Sequence, residues 1–162
     1  MSSIDFCNGY LAALVRLNSE VTDAYADFEL EALPVSTDLL ASLTVRYERF
    51  PVTRRKIYRD IPAESWNIQI TPMGDGMEEP FRAILRKWFF HTEHMGSTPA
   101  GPGGHHRENV VIAFVDGLVA ALGPFEAFYV TTTPPIWYAI DWDDIAIEAN
   151  GGRYLLSLSY SD

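Results

Sequence analysis

From residue 4 to residue 32, apolar side chains recur every three or four positions: Phe6, Tyr10, Leu14, Leu17, Val21, Tyr25 and Phe28. That spacing is the stripe of an amphipathic helix. Asn18-Ser19 before Glu20 predicts a break into two helices, with Ser19 as the second N-cap. The acids Glu20, Asp23, Asp27, Glu29 and Glu31 fall largely off the stripe, and Pro34 closes the segment. A second helix is expected from about Thr37 to Phe50. Ser36 is its candidate cap, and Leu39, Leu40, Leu43, Tyr47 and Phe50 make its stripe. Trp66 to Thr71 then alternates Trp66, Ile68 and Ile70 with Asn67 and Gln69, the period of a strand, and Pro72 and Gly74-Asp75-Gly76 end it.

Pro80 after Glu78-Glu79 opens a third helix, whose apolar face is Phe81, Ile84, Leu85, Trp88 and Thr92. Phe90 falls near the centre of its polar face, either an exposed aromatic and a candidate contact or a residue that another helix covers. Met95 to Arg107 is rich in Gly, Pro and Ser and reads as a flexible loop within one domain spanning 1–162. A fourth helix covers Asn109 to Leu122 and stops at Gly123-Pro124, and Glu126 to Thr133 is a strand by composition.

The last quarter of the chain carries the sharpest signal. Asn150-Gly151 is a two-residue hairpin loop of the type I′ kind. It sets Glu148 opposite Arg153, Ile147 opposite Tyr154 and Ile145 opposite Leu156. Ile145, Ile147, Tyr154, Leu156 and Leu158 then share one face, and Glu148 and Arg153 form an ion pair on the other. Just before the hairpin, Trp137, Tyr138 and Trp142 are interleaved with Asp141, Asp143 and Asp144. Three Asp in four positions suggest a strand end or bulge. They read either as a recognition surface of aromatic anchors among negative charges or as a solvated turn. The whole describes an α+β domain, with four to five helices on one face of a small, mainly antiparallel sheet ending in the hairpin.

Composition narrows the function. A chain of 162 residues with a 48% apolar share can bury a core without disulfides or metal. Cys7 is the one cysteine, which excludes an intramolecular disulfide and a zinc-thiolate cluster and fits a reducing cytoplasm. The first residues lack the pattern of a signal peptide, and no apolar run approaches a membrane span. The net charge of −10 is uneven: residues 1–45 carry −6, residues 46–107 carry +3 and residues 108–162 carry −7. The acidic balance argues against nucleic acid as a direct ligand and for a basic protein partner. The bases clustered from Arg46 to Arg59 are expected to pair with the acidic segments.

Catalytic templates are missing from the sequence: there is no G-x-S-x-G elbow, no Walker loop and no H-E-x-x-H. Cys7 near an apolar stripe reads as a buried structural thiol. No cofactor is expected. An alternative is a metal-dependent hydrolase built on His91, His94, His105 and His106, with Glu93 or Glu108 nearby. A homo-oligomer that buries apolar surface such as Phe90 is a further reading.

The segment Trp137-Tyr138 followed by Asp141-Trp142-Asp143-Asp144, and the short strand Arg153-Tyr154-Leu155-Leu156-Ser157-Leu158, resemble immunity proteins of bacterial polymorphic toxin systems. The resemblance covers the last quarter of the chain. It implies a cytoplasmic, non-enzymatic protein that binds a cognate toxin domain and blocks its active site, with Trp137, Tyr138, Asp141, Trp142, Asp143 and Asp144 as the contact surface. A phage-type inhibitor that mimics nucleic-acid charge is expected to share this acidity and to differ in its target.

Overall fold

The computed structural model describes residues 3–20, 25–49, 67–75, 78–90, 104–133 and 139–161. Among them are four helices and five strands: α1 (Ser3–Ser19), β1 (Tyr25–Ala32), α2 (Leu39–Glu48), β2 (Asn67–Asp75), α3 (Glu79–Phe90), α4 (Gly104–Leu122), β3 (Phe125–Thr133), β4 (Asp141–Ala149) and β5 (Gly152–Ser161). The strands form one antiparallel sheet in the order β1-β5-β4-β3-β2. The fold is α+β.

The hairpin register is the one the sequence predicts: Glu148 pairs with Arg153, Ile147 with Tyr154 and Ile145 with Leu156. Positive φ falls at Gly152 (157°) and not at Gly151, so the turn is not the I′ form that Asn-Gly suggests. Arg153 Nε donates to Glu148 Oε1 at 2.8 Å. Its guanidinium also reaches the carbonyls of Ser36 and Thr37, which anchors the approach to α2.

Residues 25–32 correct the sequence reading. They form a strand, not the continuation of a helix. The side chains of Ala26, Phe28 and Leu30 are buried while Tyr25, Asp27 and Glu29 are exposed, a period of two that the three-to-four spacing obscured. Ser19 ends α1, its hydroxyl donating to the Arg16 carbonyl, and caps no second helix. The carboxylate of Asp38, not Ser36, caps α2 by accepting from the Ala41 amide at 2.8 Å. Strand β2 runs through Pro72 to Asp75, with a bulge between Pro72 and Gly74. An edge strand tolerates a residue with no amide hydrogen. Gly123, at φ 81°, caps α4 as expected.

The two faces of the sheet are covered unequally. On one face α1, α3 and α4 bury the main core, in which Trp88 stacks on Tyr160 at 4.8 Å and meets Phe28 edge-on at 6.1 Å. On the other face α2, alone among the described helices, packs Leu39, Leu43 and Tyr47 over Val130, Ala146 and Leu155. Phe90 is half-buried against the main core with the Arg107 guanidinium of α4 over its ring, so of the two readings of its position the covered one holds. Helix α1 is clamped to β1 by Asn8, whose side-chain amide donates to the Leu30 carbonyl and accepts from the Leu30 amide. The edge strand thereby finds a substitute for a neighbouring strand.

Cys7 is 1% exposed in this core, and burial pushes its thiol pKa up. Native protein at pH 8 is therefore expected to react with a thiol reagent at least ~100-fold more slowly than protein unfolded in urea. Labelling at the same rate in both conditions would show that the α1 packing is wrong.

Candidate partner-binding site

Of the six residues singled out in the sequence, the four that the structure describes do not share one face of the sheet. Trp137 and Tyr138 lie outside the described residues. The other four sit in β4, and strand alternation sends Asp141 and Asp143 to the three-helix face and Trp142 and Asp144 to the α2 face. Asp143 and Asp144 are neither a strand end nor a solvated turn: they are 7% and 4% exposed.

Asp143 accepts from the Trp88 indole N–H at 2.6 Å, the Tyr129 hydroxyl at 2.5 Å and Lys87 Nζ at 3.2 Å. Asp144 accepts from the Tyr47 hydroxyl at 2.6 Å and the Ser157 hydroxyl at 2.9 Å. Burial raises the Tyr129 pKa well above its ordinary value, and the hydrogen bond to Asp143 and its charge add to the rise. These carboxylates are satisfied inside the protein and present no recognition surface. Asp141 is half-buried with Lys87 Nζ at 3.6 Å, and Trp142 is half-buried over a small cavity with Tyr47, Thr132 and Asp144.

The histidine cluster is not assembled among the described residues. His91 and His94 lie outside them. His105 and His106 are exposed in the first turn of α4, which begins at Gly104, within the segment read as a loop. Glu108 is held by Arg82 and Arg86 in an ion-pair network between α3 and α4, which also includes Glu79. Among the described residues no group of three His, Cys, Asp or Glu side chains is placed to hold a metal ion.

The sheet instead gathers acids that the sequence does not bring together. Asp75 on β2 pairs with Glu126 on β3, Glu126 pairs with Glu148 on β4, and Glu148 pairs with Arg153 on β5. All four lie in one row on the α2 face, three carboxylates ending in one guanidinium. Like charges directly opposite each other across strands are destabilising. The row borders a cavity of about 590 Å³ lined by Asp75, Pro124, Phe125, Glu126, Glu148 and Asn150. Beyond the hairpin tip a second cleft of about 480 Å³ adds an apolar rim of Leu33, Pro34 and the fully exposed Val35. An acidic row beside apolar side chains suits a protein surface that carries Lys or Arg. The one sequence signal for this site was the Glu148–Arg153 pair, because the β2–β3–β4 register rests on contacts between distant segments.

Among the described residues no helix is long and apolar enough to cross a membrane. Compared with protein-family models, curated proteins and solved structures, the chain gives no match.

Proposed function

We propose that this chain is a non-enzymatic immunity protein: a bacterial, cytoplasmic inhibitor that binds a cognate toxin domain of basic surface, such as a nuclease, and neutralises it. The observation that carries the reading is the row Asp75, Glu126 and Glu148, three carboxylates gathered on adjacent strands beside two clefts. Such a row is complementary to a partner surface that carries Lys or Arg. The net charge of −10 supports it by steering a cationic partner inward. The contact surface is thus proposed at the hairpin tip and its two clefts, and not at Asp143 and Asp144.

The test is affinity capture from the native host with the wild-type chain and with Asp75→Asn/Glu126→Gln/Glu148→Gln as baits. The wild type is expected to retain a basic protein that is toxic when expressed alone and harmless when the two are co-expressed. With that protein, the triple variant is expected to associate about tenfold more slowly at low salt, with a flatter salt dependence. Equal association rates for the two baits would place the contact elsewhere. Failure of co-expression to protect would remove the inhibitor reading.

A further inference from the structure

Helix α1 has two faces that are both largely apolar. At about 100° per residue, Cys7, Leu11, Leu14 and Asn18 point into the core. Asp5, Phe6, Gly9, Ala13, Arg16 and Leu17 form the exposed arc opposite. Phe6 and Leu17 are 58% and 59% exposed, large areas for apolar side chains in solvent. Phe6 lies along α4, where its ring stands 3.1 Å from the position a Cβ of Gly117 would take, and Val119 of α4 is exposed as well.

Gly9 sits at the middle of this arc, and the space around its missing side chain is empty. Glycine inside an exposed helix lowers stability relative to alanine, and no atom of the described residues comes within 4 Å of where a Cβ would stand here. A bare backbone at that point suits the close approach of another helix.

We infer that α1 packs antiparallel against α1 of a second copy of this chain, across a twofold axis. Charge complementarity identifies the occupant. The charges of α1 are Asp5 in its first turn and Arg16 in its last. An antiparallel pair centred on Leu11 sets Gly9 against Ala13 of the other copy and brings Asp5 within one residue of Arg16 and Phe6 within one residue of Leu17. All these pairs share a midpoint close to Leu11, as one twofold axis requires. The stripe therefore complements itself in charge and in size. A chain of net charge −10 repels its own copy over most of its surface, and this stripe, with one acid and one base, is where that repulsion is weak. Helix α1 lies on the three-helix face, so the dimer leaves the acidic row of each copy open, and the inference stands independently of the proposed function.

Analytical ultracentrifugation of the full chain, across a concentration series reaching the millimolar range, tests this. The wild type is expected to sediment as a dimer. Gly9→Arg fills empty space in the monomer and favours the helix, so it is expected to keep the native circular dichroism spectrum and sediment as a monomer. Asp5→Arg alone is expected to raise the dissociation constant about tenfold, and Asp5→Arg with Arg16→Asp to restore it. A wild type that stays monomeric throughout would overturn the inference. So would a Gly9→Arg dimer of wild-type affinity, or a double exchange no better than the single one.

Discussion

Asp143→Ala is expected to destabilise the protein by about 3–5 kcal/mol, seen as a lower urea midpoint with an unchanged slope. The carboxylate is the common acceptor for the Trp88 indole, the Tyr129 hydroxyl and Lys87. Removing it leaves a buried N–H and a buried O–H without their acceptor, and hydrogen bonds to a charged group are each worth about 1.5–3 kcal/mol. Lys87 is partly exposed and regains water, which keeps the loss from being larger. Asp143→Asn is expected to recover only part of the loss, because its amide adds donors where the neighbours already donate. Asp141→Ala, whose partner is the same Lys87 at 3.6 Å, is expected to cost less than about 1 kcal/mol. Equal losses at positions 141 and 143 would mean that charge near Lys87, and not the buried acceptor, is what matters.

The second large effect is expected one residue later on the opposite face. Asp144→Ala removes the acceptor of Tyr47 and Ser157 and is expected to cost about 2–4 kcal/mol. Tyr47→Phe should cost about 1–2 kcal/mol, and the double variant should show the two losses to be strongly non-additive. The location of the loss distinguishes the two aspartates. Asp143 ties α3 to the sheet, whereas Asp144 ties down α2, the one described helix on its face. Hydrogen exchange in Asp144→Ala is expected to speed up through residues 39–48 while α1, α3 and α4 keep their protection. Uniform loss of protection would show that α2 does not open as a separate unit.

The hairpin was legible because its register depends on neighbours in sequence. The Asn150-Gly151 loop and strict alternation place Ile145, Ile147 and Leu156 without knowledge of the rest of the fold. Helix α3 was legible for the same reason, from Pro80 and the spacing of Phe81, Leu85 and Trp88. Strand β1 was misread because Tyr25 and Phe28 continue the helical spacing of α1. Tyr25 is in fact 65% exposed, and Leu30, which that stripe omits, is buried. The acidic cluster was visible as composition but not as structure. The partners that bury Asp143 and Asp144 are Trp88 and Tyr47, on two helices far earlier in the chain. Of the acidic row only the Glu148–Arg153 end was legible, since Asp75, Glu126 and Glu148 meet through pairing of segments that do not announce each other.

The strand order has a consequence for how the protein is made. Among the described strands, β1 pairs with β5 alone, from Tyr25 opposite Ser161 to Ala32 opposite Tyr154. On the ribosome, the segment that becomes β1 emerges long before residues 152–161 exist, and α2, β2, α3, α4, β3 and β4 are synthesised in the interval. Its alternating apolar side chains must be sheltered meanwhile by something already present, and α1, emerging just before it, is the adjacent candidate through the Asn8 clamp. The α1–β1 unit is then an early, local piece that waits for its sheet, and completion of the fold is timed by the arrival of β5.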